Sequence, residues 1–330
     1  MKTWNACLIA LAGLTASVPL TSAEYHISGP YTHDNLAVFL IHGANQSSRR
    51  FLTLQEALEQ KKVAVYETRS VNELAIENLS PNEDVFIQSG DIVKGGQQDR
   101  TLKDDIILPS KSGRVSIDSF CVEHGRWTRR GNEAVDRFES SNQTVATREV
   151  KKAMRISSNQ AEVWESVAQA QRSLSGRLAG SVAAPASPTS YMLSLESPRL
   201  QKPVQEYIAA LSGAPGRDAD VVGYAFAVNG KLSSADVYAS SDLFRKLWPK
   251  LLRASAVEAI AEAHAGPTPA APGFAGVKAM LLDANHGQVK SRDLTPSTRA
   301  VTKESAQTAV FETRDRANGE AMVHKSYLVK

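Results

Sequence analysis

"DVVGYAFAVNGKLSSADVYAS", residues 220–240, decides the fold. Two alternating apolar runs flank Asn229-Gly230, a dipeptide suited to a two-residue hairpin turn with positive φ at both positions. Helical patterns stand on either side. "PVQEYIAALSG" (203–213) closes on a glycine. "SSDLFRKLWPKLLRASAVEAIAEAH" (240–264) carries a stripe of Leu243, Phe244, Leu247, Leu251 and Leu252, capped by Ser240 or Ser241 and kinked or split at Pro249. A hairpin set between helices breaks regular β–α alternation. The pattern therefore disfavours a doubly wound parallel sheet and predicts an α+β fold.

Working toward the N-terminus, residues 35–123 read as an antiparallel, sandwich-like β-layer with one early helix. "NLAVFLIHG" (35–43) and "KVAVYET" (62–68) are strands. Thr53 and Glu56 have the capping-box spacing at the start of a helix over 53–60. The Pro-Asn-Glu-Asp turn (81–84) and the Pro/Ser/Gly turn before Arg114 each predict a hairpin. A central helical segment follows over 146–157 and 159–176. In its second helix Val163, Val167, Ala170 and Leu174 share a face, with Ser158 or Asn159 as the cap. Toward the C-terminus, Ala317-Asn318-Gly319 predicts a closing hairpin. Small-residue connections at 179–190 and 265–276 are possible sub-boundaries within one α+β domain, 24–330.

Residues 1–23 read as a secretory signal peptide: Lys2, an apolar run, then Thr21-Ser22-Ala23. The expectation is an exported, periplasmic or secreted protein with no stable membrane insertion once the signal is removed. Loss of Lys2 lowers the formal net charge from +3 to about +2. That near-balance excludes the basic footprint of a nucleic-acid binder. Of the two cysteines, Cys7 leaves with the signal and Cys121 remains, so no internal disulfide is expected.

Two stretches carry chemistry. "SGDIVKGGQQDR" (89–100) sets Gly95 and Gly96 among Asp91, Gln98 and Arg100. Exposed glycine amides beside cationic tips suit an anion. No P-loop order accompanies them. "SFCVEHGRW" (119–127) groups Cys121, Glu123, His124, Arg126 and Trp127. Strand alternation puts Cys121 and Glu123 on one face and His124 on the other, so a local Cys–His dyad is awkward. A distant imidazole, His324 or His42, is the alternative partner. There is no Cys-x-x-Cys or His-x-x-x-His for a metal, no Gly-x-Ser-x-Gly elbow for a serine hydrolase, and no cofactor motif.

"SVNELAIENLSPNEDVFIQSGDIVKGGQQDR" (70–100), "ILPSKSGRVSIDSFCVEHGRW" (107–127), "AEVWESV" (161–167) and "FETRDRANGEAMVHKSYL" (311–328) together resemble an uncharacterised bacterial family. It is named for its association with ADP-ribosylglycohydrolase and rhodanese-phosphatase proteins. The resemblance runs from about Asn35 to Lys330 and implies a link to ADP-ribose or other nucleotide-derived metabolites.

The leading expectation is a binding or accessory domain for a small anionic ligand. The pocket would lie between the 89–100 loop and the 120–127 segment. Arg100 and Arg126 would hold the anion, Gly95, Gly96 and Gln98 would line it, Asp91 or Glu123 would take a hydroxyl, and Trp127 would stack. One alternative is a hydrolase-like enzyme using Glu123 or Cys121 with His124 or His324 as acid/base. Another is an envelope-associated interaction module.

Overall fold

The computed structural model describes residues 25–134, 136–283 and 287–330, so the expected signal segment 1–23 lies outside the described residues. The fold is α+β, with three mostly antiparallel sheets and seven α-helices among those residues.

The 220–240 hairpin forms as expected. Strands Val221–Val228 and Lys231–Tyr238 pair antiparallel around Asn229 (φ 50°) and Gly230 (φ 74°). This hairpin is the middle of an eight-stranded antiparallel sheet. In spatial order the strands are His26–His33, Leu36–His42, the hairpin, Ala321–Val329, Thr308–Asp315, Thr298–Glu304 and Gln288–Thr295. Leu36–His42 is an unbroken apolar run because both its faces are covered. Leu36, Val38 and Leu40 pack under the helices Gln160–Arg177, Pro198–Leu211 and Ser241–Glu262. Ala37, Phe39 and Ile41 pack with Val277, Met280 and Leu281 of the helix Phe274–Asp283.

Several local expectations hold. Thr53 and Glu56 form both halves of the capping box on the helix Leu54–Glu59. Asn159 accepts from the Ala161 and Glu162 amides, and Val163, Val167 and Leu174 are buried. Ser240 caps Ser241–Glu262, which runs as one helix with Pro249 inside it and is not split. The 146–157 helix divides into Arg148–Lys152 and a π-helical turn, Ala153–Ser157.

The N-terminal layer needs three corrections. Leu36–His42 does not belong to it; that strand pairs with Val221–Val228. The remaining strands form a six-stranded sheet and a three-stranded sheet. Neither predicted hairpin there exists. Glu73–Asn78 and Val85–Ile87 lie in different sheets, as do Ile106–Leu108 and Gly113–Cys121. The two turns are corners, and Asn78 ties them together. Its buried amide donates to the carbonyls of Glu83, Leu108 and Pro109, and its Oδ1 accepts from Ser80 N. At the C-terminus the closing hairpin is half of a four-stranded meander, 288–329. Among the described residues no helix is long and apolar enough to cross a membrane.

Candidate functional site

The strand Gly113–Cys121 pairs with Arg100–Leu102, which sets Cys121 opposite Arg100. Cys121 is fully buried, and its thiol lies 3.6 Å from the Val71 carbonyl. Burial pushes its pKa up to about 11, so at neutral pH the sulfur is a protonated packing atom and not a nucleophile. Its backbone is clamped from both sides by Gln160: the Cys121 amide donates to Oε1, and Nε2 donates to the Cys121 carbonyl, each at 2.9 Å.

Just past the strand, Glu123 is buried at the centre of an ion-pair lattice. Arg126 meets it with Nε on Oε1 and Nη2 on Oε2, both at 2.8 Å. The other Arg126 hydrogens go to the carbonyls of Gly95, Gly96 and Thr128. Arg130 grips Asp99 through two 2.9 Å bonds and reaches Glu123, Glu133 and Ser190. The Asp99 amide and the Ser187 hydroxyl both donate to Glu123. Ser190 donates to Asp99 at 2.9 Å and also caps the helix Tyr191–Leu195. Burial alone would raise the Glu123 pKa; the Arg126 and Ser187 hydrogen bonds outweigh it and hold the carboxyl low. The segment 179–190 therefore threads this lattice instead of lying loose beside it.

The structure joins some of the expected residues and separates others. Gly95, Gly96, Glu123 and Arg126 meet. Gly96 (φ 54°) must be glycine, because a Cβ there would run into the Phe138 ring. Arg100 and Gln98 are fully buried next to the lattice; Arg100 bonds the Gln98 carbonyl and faces Glu67 at 3.7 Å. Asp91 turns away to Lys250, 2.6 Å off on the long helix. Trp127 points outward and is 45% exposed.

His324 belongs to a second, separate centre. The pairing of Ala321–Val329 with Lys231–Tyr238 sets it beside Asp236, and its ring is fixed by Asp105 (2.8 Å, on Nδ1) and Asp236 (3.1 Å, on Nε2). Tyr238 stacks on it at 4.4 Å. Burial would lower the imidazole pKa; Asp105 and then Asp236 overcome this and raise it. His324 is thus the middle of a buried carboxylate–imidazole–carboxylate row, with its pKa raised by the two carboxylates. Both of its nitrogens are occupied, and it lies apart from Glu123.

A cleft opens on the other side of the 120–127 segment. His124 lies three residues past the end of the strand and is exposed, and its ring meets Trp164 edge-on at 4.5 Å. His124, Ala161, Trp164, Glu165, Val167, Ala168, Gln171 and Thr189 line a concavity of about 270 Å³. Trp164 Nε1 is shielded from solvent and has no hydrogen-bond partner. The His124 backbone is held by Thr189, whose hydroxyl accepts from the His124 amide and donates to its carbonyl. Two broader depressions over residues 45–50 (about 520 and 420 Å³) are lined by polar side chains and Ala317, with no aromatic ring.

Sequence reasoning missed Asp99, Arg130, Ser187 and Ser190 as lattice members, and it gave Trp164 no place in a site. The first four lie up to 91 residues apart in the chain. Only the Trp164 spacing on its helix, one residue after buried Val163, could have shown a ring at the rim of the apolar face.

Residues 24–329 match the family described as the ARG and Rhodanese-Phosphatase-superfamily-associated Protein domain, and the chain belongs to it. No curated protein and no solved structure matches the chain significantly.

Proposed function

We propose that this family member is a binding domain whose ligand presents a small planar, heteroaromatic group to the His124–Trp164 cleft. The observation that supports this most directly is a concavity of about 270 Å³ where the edge-on His124 and Trp164 rings meet Val167 and Ala168. A heterocycle lying in the cleft would cover this aromatic and apolar surface, with Gln171 and Thr189 at hand as polar partners. Stacking of a base on an aromatic side chain is worth about 1–3 kcal/mol. The cleft volume is slightly below the roughly 300–1,000 Å³ of drug-sized sites, which favours a single ring system over a large ligand.

The ion-pair lattice has a supporting role in this reading. It fixes the 123–130 segment, and through Ser187 and Ser190 it fixes the strand of chain that carries Thr189. Arg126 has its donors committed to Glu123 and three carbonyls. A ligand anion held by Arg100 and Arg126 together is therefore the weaker version. The enzymatic alternative at Cys121 loses its nucleophile to burial.

The association with ADP-ribosylglycohydrolase-type proteins in the family's description makes adenine-bearing probes the natural first set. Adenine, adenosine and ADP-ribose are compared with ribose 5-phosphate by thermal shift. At about 100 times Kd a specific ligand stabilises by about 2.7 kcal/mol. The expected result is a shift with all three base-bearing probes, none with ribose 5-phosphate, and loss of the shift in Trp164→Ala. A shift that needs the phosphate, or that survives Trp164→Ala, rejects the cleft as the site.

A further inference from the structure

Three residues that no sequence motif connects meet at one end of the eight-stranded sheet. Ser28 Oγ lies 2.8 Å from His42 Nε2, and His42 Nδ1 lies 3.1 Å from Asp220 Oδ1. We propose that Ser28, His42 and Asp220 form a serine acyl-hydrolase site for carboxylic esters.

Sheet register builds the arrangement. Ser28 stands opposite Leu40 and His26 opposite His42, so Ser28 and His42 are diagonal neighbours on one face. On the other side of His42, Val221 is its cross-strand partner, which brings Asp220 alongside. Gly43 N donates to the Asp220 carbonyl at 2.9 Å and locks the two backbones together. Each contact has the polarity that base catalysis needs. The serine sits on Nε2, and the carboxylate sits on Nδ1, where it holds the ring orientation and stabilises the imidazolium. Such sites are recognised by geometry and not by chain order.

Two further features separate this group from a packing contact. First, it is accessible: the Asp220 side chain is 61% exposed, and Ser28 is partly exposed. Second, Ser28 lies on the edge strand, immediately before a register shift between Ser28 and Tyr31. Bulges beside active sites re-aim side chains. An edge strand also leaves N–H groups unpaired along its outer side, and the proposal requires one of these to serve as the oxyanion donor. The site is open, which suits an ester carried on a bulky or extended molecule better than one needing an enclosed acyl pocket.

In the reaction, Ser28 Oγ bonds to the carbonyl carbon as its proton passes to His42 Nε2. Collapse of the adduct breaks the bond to the alkoxide, which takes that proton and leaves as the alcohol. Water then attacks the acyl-serine with His42 as base, releasing the carboxylic acid and restoring the Ser28 hydroxyl. Asp220 touches no reacting atom and acts as a positioning residue.

The test uses the full chain with p-nitrophenyl acetate and, separately, a fluorophosphonate, from which Ser28 Oγ would displace fluoride. The expected results are covalent labelling at Ser28, located by peptide mass spectrometry, and at least a 100-fold loss of ester hydrolysis in Ser28→Ala. Asp220→Asn should lower kcat more than it changes KM and shift the pH–rate profile, which loss of a merely structural contact would not do. Labelling of the unaltered chain keeps the test decisive if a variant misfolds. Absence of label at Ser28, or hydrolysis by a folded Ser28→Ala at the unaltered rate, overturns the proposal.

Discussion

Replacing Arg130 by Met tests whether the Glu123 lattice supports the fold. Arg130 is 6% exposed at its side chain, while Asp99 and Glu123 are fully buried. The substitution deletes two 2.9 Å bonds to Asp99 and contacts to Glu123, Glu133 and Ser190. Methionine roughly preserves the volume, so the loss reports charge and not a cavity. Glu123 keeps the paired bonds from Arg126. Asp99 keeps only the Gly95 amide, the Ser190 hydroxyl and a loose 3.8 Å approach of Arg126. Removing one partner of a buried pair costs about 3–5 kcal/mol. For a chain of 330 residues, with an unfolding entropy of about 2.1 cal/mol/K per residue, that is a fall in Tm of about 4–8 °C. Urea melts should show a lower midpoint with an unchanged slope. The double variant Asp99→Asn/Arg130→Met should recover part of the loss, because the uncompensated charge is gone. A loss below about 1 kcal/mol, the range of exposed pairs, would refute the view that these charges act as one buried unit.

Two further outcomes are expected. Cys121, with its thiol pushed up to about 11, should resist iodoacetamide at pH 8 in the folded protein and react fully in denaturant; labelling at equal rates in both states would contradict its burial. His324 should make stability pH-dependent in a defined direction. Its raised pKa gives stabilisation that is complete below the unfolded value near 6.5 and is lost as pH rises through the folded value. Asp105 and Asp236 are held low, so their share is complete above about 3.8 and lost as pH falls. Tm should therefore decline on the alkaline side, and His324→Gln should flatten that decline; an identical slope in the variant rejects the assignment.

The features that were legible in sequence are local. The Thr53/Glu56 capping box, the Asn159 cap and the Asn229-Gly230 turn each depend on residues within four positions of one another, and each formed. The sheet partition was not legible. Two strands around a tight turn look like a hairpin unless something redirects the chain, and here one buried amide, Asn78, binds both corners at once. The candidate site divides in the same way. The strand ends at Cys121, so alternation does not reach His124; Cys121 is buried beside Val71 while His124 lines the cleft with Trp164. Arg130, Ser187 and Ser190 were invisible because they reach Glu123 and Asp99 only through tertiary folding. His42, Ser28 and Asp220 form no motif, since register rather than spacing brings them together.

The partnership between Leu36–His42 and Val221–Val228 also sets an order of events during synthesis. The first long apolar strand of the chain waits for a neighbour made some 180 residues later, while the sheets built from 52–145 close on themselves. Contacts of such high sequence separation form slowly. Until they do, Leu36-Ala37-Val38-Phe39-Leu40-Ile41 is an uncharged, β-prone segment without cover, of the kind that associates between chains. Chaperone demand and aggregation during expression should therefore concentrate on this strand, and a chain truncated before Val221 should be far less tractable than one truncated within the final meander.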